Sequence, residues 1–190
     1  MTTAATHAPH LTPSRDELAR LAEITLHATL GGSLADLVAL IHPEAHNRMS
    51  ITEPPATRGH GPTAFHATGE WLRAAFSDLA WTTETEIVED GPVADCGTLV
   101  VTYGTLSGRH TGDFVVWTPD GTVERAFAPT GKDFTVQQAH FQRIVEGRVI
   151  EHWAVRDDQG MGMQLGWIPP TPGYLFRCYR ATRRARRTTS

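Results

Sequence analysis

Two segments in the last third of the chain hold its densest group of proton carriers. The first runs Thr135-Val136-Gln137-Gln138-Ala139-His140-Phe141-Gln142. Read as a strand, its side chains alternate between faces, so Gln138, His140 and Gln142 share one face and Gln137, Ala139 and Phe141 the other. After the turn Glu146-Gly147 comes Glu151-His152-Trp153-Ala154-Val155-Arg156, then Asp157-Asp158. Here His152, Ala154 and Arg156 share a face opposite Glu151, Trp153 and Val155. If the strands pair through Gly147, His140 and the residues near Ala154 meet on one concave face. An imidazole flanked by amides and carboxylates in a pocket suits general acid–base chemistry.

Each residue also has a plainer reading. His140 is equally a hydrogen-bonded core histidine. Asp157 or Asp158 is the expected N-cap of a last helix over 159–165. Glu151 and Arg156 suit an exposed cross-strand pair worth under ~1 kcal/mol. Tyr103, Trp117 and Trp153 serve packing as readily as stacking on a ligand. Gln138 and Gln142 suit a solvent-facing edge.

Other chemistries find no motif. No GxGxxG opens a helix after a strand, and no glycine-rich loop ends in Gly-Lys-Ser/Thr. No serine or cysteine sits in a nucleophile elbow. The ten histidines are scattered, with His7 and His10 near the start and His60 and His66 flanking a helix start. None pairs at i, i+4 around an acid on a helix, so no metal site is expected.

Elements that position these residues follow from period and punctuation. Ser14 to Glu17 has capping-box spacing, and Leu18, Leu21, Ala22 and Thr25 continue it as a helix that Gly31-Gly32 stops. Ser33 and Asp36 repeat the cap before a second helix that ends by Pro43. Residues 44–61 read as irregular. Gly61-Pro62 opens a third helix. The period then changes: Trp81–Val88, Val93–Tyr103, His110–Trp117, Phe134–Val145 and Val149–Arg156 are rich in β-branched and aromatic residues, bounded by Gly, Pro or Asp turns. Helices first and an antiparallel meander later imply an α+β class with a pocket on the concave sheet face.

At 190 residues the chain is expected to form one domain over 14–170, with a flexible arm at 1–13 and a C-terminal extension at 171–190. Its 40% hydrophobic and 20% charged content excludes a disordered chain, a coiled coil and a collagen. No apolar run is long enough for a membrane helix, and the N-terminus has no secretory pattern. Cys96 and Cys178 make no disulfide framework, so a cytoplasmic protein is expected. Six of the 17 basic residues fall at or after Arg177, leaving 11 against 21 acids in the rest, a net of −10. An acidic body with a short basic tail is not a nucleic-acid domain. The tail itself reads as a solvated end, with docking to an acidic partner as the alternative.

Several runs together resemble the SnoaL-like polyketide cyclase family. They are His42-Pro43-Glu44, Gly61-Pro62-Thr63-Ala64-Phe65, Trp71-Leu72-Arg73-Ala74-Ala75-Phe76, Gly108-Arg109-His110-Thr111-Gly112, Pro129-Thr130-Gly131-Lys132, 143–153 and Asp157-Asp158-Gln159-Gly160. The resemblance covers about Arg15 to Pro170. It implies the nuclear-transport-factor-two-like cone, usually a homodimer, around a hydrophobic small molecule. It also implies an intramolecular aldol condensation with no metal or organic cofactor. The family's histidine on the penultimate strand matches His140. Its acid–base aspartate falls on Ala154, which cannot move a proton. Either His140, Asp157 or His152 has taken over, or the pocket binds without reacting. Hydroxylation and hydrolysis are further options for this scaffold. The expected assignment is His140 and Asp157 as catalytic groups, with Gln138, Tyr103, His152, Ala154, Gln142 and Trp153 against the substrate. A second departure is the stretch 118–128, which reads as an insertion in a shorter hairpin.

Overall fold

The computed structural model describes residues 13–89 and 97–189. The expected arm other than residue 13, the Asp90-Gly91-Pro92 turn, the segment's start at Val93 and Cys96 lie outside the described residues.

Helix α1 (Arg15–Gly31) starts at the expected capping box. The Ser14 side chain accepts from the Glu17 N–H, and the Glu17 carboxylate accepts from the Ser14 N–H. Ser33 and Asp36 repeat that box for α2 (Leu34–Leu40). Helix α3 (Gly61–Ala75) opens at Gly61, whose φ is +75°. A Cβ there would lie 2.6 Å from the carbonyl oxygen of Pro43, so only glycine fits this approach.

The stretch read as irregular begins with a strand. Ile41–Asn47 forms β1, which runs parallel to the last strand of the sheet. Pro43 hides it from a pattern search, yet proline is tolerated because β1 is an edge strand. Two short 3-10 turns follow, Ser50–Thr52 and Pro55–Arg58.

The main sheet has the order β1-β7-β6-β3-β2. Strands β2 (Phe76–Val88), β3 (Thr98–His110), β6 (Asp133–Val145) and β7 (Arg148–Arg156) pair antiparallel in turn. Register breaks between Ser77 and Ala80, Thr83 and Thr85, and Arg143 and Ile144 bend it. The concave face turns toward α1 and α3. Leu26, Phe76, Trp81, Leu106, Phe134 and Trp167 pack in one core cluster; Leu18, Leu37, Ile41, Phe65 and Val149 pack in a second.

The segment read as His110–Trp117 divides: His110 ends β3, and β4 (Phe114–Trp117) starts a separate hairpin with β5 (Val123–Phe127). The stretch 118–128 therefore supplies the turn and the second strand of a real hairpin. Helix α4 (Asp158–Leu165) follows β7.

The C-terminal end departs from the solvated reading. Pro172–Thr188 is a helix, α5, capped by Thr171. It lies on β5. Tyr174 donates to the Ala128 carbonyl at 3.1 Å, and the Thr182 hydroxyl accepts from the Ala126 N–H at 2.8 Å. Arg184 pairs with Asp113 and Arg186 donates to the carbonyls of Val123 and Glu124. Tyr174 and Ala181 are buried in the first core cluster. The arginine-rich composition concealed three anchoring positions at helical spacing: Tyr174, Cys178, which packs against the first core cluster, and Thr182.

Candidate active site

A cavity of about 350 Å³ lies between α1, α3 and the concave sheet face. That volume falls in the range of small-molecule sites. Most of its wall is apolar: Leu26 and Leu30 of α1, Phe65, Trp71 and Leu72 of α3, Trp81 of β2, Leu106 of β3, and Phe114, Phe127 and Trp167 beyond. Strand alternation brings Gln138, His140 and Gln142 of β6 and His152, Ala154 and Arg156 of β7 to this face, as the sequence implies.

A chain of polar contacts crosses the wall. His140 Nε2 lies 2.9 Å from Gln138 Oε1. His140 Nδ1 lies 3.0 Å from His152 Nε2. His152 Nδ1 lies 3.4 Å from Asn47 Oδ1, and Asn47 Nδ2 donates to Glu53 Oε1 at 3.4 Å. The Thr68 hydroxyl donates to Glu53 Oε2 at 2.9 Å.

The direction of this chain follows from one backbone group. The Met49 N–H donates to Asn47 Oδ1 at 3.1 Å, which fixes that atom as the oxygen. His152 therefore donates from Nδ1, and its bare Nε2 accepts from His140 Nδ1. The remaining nitrogen, His140 Nε2, carries a lone pair when His140 is neutral. Gln138 ends in an amide that offers NH₂ to that lone pair or oxygen to a protonated ring. Every donor in the chain points toward Glu53.

Burial disfavours the charged form of each group. It lowers His152 to about 4, with the nearby Arg156 charge adding to the effect. His140 is lowered well below its ordinary value by burial, then by His152 and Arg156. Glu53 is 3% exposed, and burial pushes its carboxyl up, against the opposing hydrogen bonds and Arg156.

Trp81 sets its ring edge-to-face against His140, centroids 4.9 Å apart at 84°. The ring reaches this position because residue 104 is glycine: a Cβ there would lie 2.9 Å from Trp81 and 2.2 Å from the Thr82 carbonyl oxygen.

The other expected site residues fall elsewhere. Asp157 is exposed and caps α4, its side chain accepting from the Gly160 N–H at 2.7 Å; Asp158 rather than Asp157 reaches the cavity rim. Tyr103 is 40% exposed and outside the cavity, because odd positions of β3 face away while Leu106 faces in. Trp153 likewise lies on the outer face, stacked on Phe141 with Arg48 over its ring. Arg48 also pairs with Glu151 at 2.6 Å, so Glu151 finds Arg48 rather than Arg156. Gln142, by contrast, does line the cavity; it is fully buried and donates to the Ala22 carbonyl at 2.9 Å, tying the sheet to α1.

Glu53, Asn47 and Thr68 were not singled out from the sequence. Glu53 precedes two prolines in an aperiodic stretch, and only the fold brings it to β7. Arg58 secures this loop by donating to the Glu53 carbonyl at 2.9 Å and to the carbonyls of Thr118 and Pro119 at 2.8 and 2.7 Å. The hairpin read as an insertion thus anchors the loop that carries Glu53.

Among the described residues, no group of three or more His, Cys, Asp or Glu is arranged to hold a metal ion, and no helix is long and apolar enough to cross a membrane.

Known proteins resemble this chain in sequence and in fold. The family model described as SnoaL-like polyketide cyclase matches residues 19–165. The aklanonic acid methyl ester cyclase DnrD of Streptomyces peucetius is 35% identical over 141 residues, covering 74% of this chain and 85% of that protein. The nogalonic acid methyl ester cyclase of Streptomyces nogalater is 35% identical over 139 residues, covering 71% and 87%. Among solved structures, TsrD from Streptomyces laurentii matches in fold with a TM-score of 0.61 at 24% identity, covering 82% of this chain and 98% of that one. With its α+β cone, its apolar cavity and these matches, the chain belongs to the SnoaL-like polyketide cyclase family.

Proposed function

We propose that this protein cyclises a polyketide-type ester by cofactor-independent acid–base catalysis, in an antibiotic-type biosynthetic route. The observation that carries the reading is the polar strip Gln138–His140–His152 on the wall of an otherwise apolar cavity. Buried polar groups cost stability unless they are used or paired, and His140 keeps one nitrogen that faces only a rotatable amide. The relatives named above are cyclases of aklanonic and nogalonic acid methyl esters, which supports a substrate of that class.

His140 is the proposed acid–base group. Its Nε2 takes a proton from the carbon beside a carbonyl, and the electron pair left there forms the new carbon–carbon bond. The attacked carbonyl oxygen then takes the proton from Nε2. Nothing enters or leaves, so the product has the mass of the substrate. A protonated His140 has an acceptor at each nitrogen: His152 Nε2 and Gln138 Oε1. The apolar wall excludes water that would quench the enolate.

Ala154 favours a second reading, a binder without chemistry. Incubation with aklanonic or nogalonic acid methyl ester, followed by chromatography and mass spectrometry, separates the two. An isomer of unchanged mass, absent without protein, supports the cyclase; ester bound but recovered intact supports the binder. A gain of one oxygen or one water would point to hydroxylation or hydrolysis. The protein is proposed to act in the cytoplasm as a homodimer, through the outer sheet face where Ile87, Tyr103 and Val155 are exposed.

A further inference from the structure

The β7 position that the family resemblance gives to an acid–base aspartate is Ala154, with no ionisable group. The cavity nevertheless holds a carboxylate from elsewhere. Glu53 reaches it from the loop between β1 and α3, and that carboxylate accepts from Thr68 at 2.9 Å and from Asn47 at 3.4 Å. Among the described residues no salt bridge neutralises it: Arg156, also on the cavity wall, pairs with Asp158 at 3.5 Å and acts on Glu53 only as a nearby charge. An anion buried on an apolar wall is costly unless something uses its charge.

We infer that Glu53 is the relocated carboxylate of this site: a positioning residue that acts on His140 through Asn47 and His152. The hydrogen-bond directions carry the inference. Met49 fixes Asn47, Asn47 fixes the His152 tautomer, and His152 leaves a bare Nε2 facing His140 Nδ1. This order presents Glu53 as the terminal acceptor. When His140 takes the substrate proton, its Nδ1–H donates into a chain that ends on a negative charge. The charge stabilises the imidazolium without touching the reacting atoms, as an aspartate orients a catalytic histidine from its far nitrogen. The carboxylate has moved from strand to loop while His140 has stayed in place. The loop is held for this task by Arg58, which ties the Glu53 carbonyl to Thr118 and Pro119.

The role in turnover rests on the cyclase reading; the relay itself does not, and two measurements separate them. The first compares wild type, Glu53→Gln and the double variant Glu53→Gln/Ala154→Asp. Ring closure of nogalonic acid methyl ester gives kcat, and quenching of tryptophan fluorescence gives the dissociation constant. Glu53→Gln is expected to lower kcat on the order of 10²-fold with little change in ester affinity. The double variant, which restores a carboxylate at the strand position facing His140 across the β6–β7 pair, is expected to recover at least about tenfold of that loss. A kcat for Glu53→Gln within about twofold of wild type overturns the inference. So does a loss of affinity and kcat together that Ala154→Asp does not repair.

The second is imidazole ¹⁵N NMR of the same proteins without substrate. Wild type is expected to show His152 protonated at Nδ1 and bare at Nε2, with both His152 and His140 resonances shifted in Glu53→Gln. Unchanged imidazole shifts in that variant overturn the relay whatever the ester does. Shifted resonances in a protein that closes neither ester support the relay and leave the cyclase reading as the part that fails.

Discussion

Nδ1 of His140 lies 3.0 Å from Nε2 of His152, so two imidazoles on adjacent strands share one hydrogen bond inside an apolar cavity. Their rings stack, with centroids 5.3 Å apart. Two positive charges at that distance in a dry site repel strongly, so at most one ring is protonated at a time. Under the proposed condensation, the pair would accept one substrate proton and return it.

The neutral histidines give a signed pH dependence. A histidine in the unfolded chain ionises near 6.5, whereas burial holds His152 and His110 at about 4 in the folded protein. Between those values the unfolded chain binds protons that the folded chain refuses. Stability is therefore complete above pH 6.5 and falls as pH drops toward 4. His110, buried beside Trp167, contributes with the same sign over that span. Glu53, raised by burial, contributes with the opposite sign. Urea unfolding at pH 7.5 and pH 5 checks this: the midpoint is expected to be lower at pH 5, and a higher one would contradict the neutral-histidine assignment.

Arg58 joins two segments that carry no periodic signal, the Glu53 loop and the β4–β5 turn. Arg58→Ala removes donors to the carbonyls of Glu53, Thr118 and Pro119. The expected cost is about 1–3 kcal/mol, with faster amide exchange at residues 50–58. Exchange unchanged at those amides would show that the loop holds its position without the clamp.

Gly104 lets Trp81 lie against His140. Gly104→Ala places a methyl group 2.2 Å from the Thr82 carbonyl oxygen, so strands or ring must move. A loss of about 1–3 kcal/mol is expected, together with slower ring closure. Wild-type stability and rate in this variant would mean that Trp81 does not fix the His140 ring.

Pattern and spacing alone disclosed the capping boxes at Ser14 and Ser33, the helix opening at Gly61, and the shared face of Gln138, His140, His152 and Ala154. Those features rest on local periodicity, which a sequence displays directly. The strand at Ile41–Asn47 was not visible, because Pro43 interrupts the pattern and its single partner lies a hundred residues away. Tyr103 and Trp153 were expected at the substrate, but register turns them outward. Asp157 was expected to be catalytic, and its plainer role as a helix cap is the one its hydrogen bond to Gly160 displays. Glu53 was invisible because its neighbours in the cavity come from β1, α3 and β7, and no short window contains them.

The C-terminal helix tests how far composition misleads. Ending the chain before Thr171 removes buried Tyr174 and Ala181 and uncovers β5. A loss of at least about 3 kcal/mol is expected in thermal unfolding. An unchanged melting temperature would restore the solvated-tail reading.

The central claim is that His140 moves the proton. Its most direct test is single-turnover ring closure of aklanonic acid methyl ester by wild type and His140→Gln, with binding followed separately by tryptophan fluorescence. Both proteins are expected to bind the ester, and His140→Gln is expected to form the isomer at least about 10²-fold more slowly. Ring closure at the wild-type rate by His140→Gln would contradict the claim.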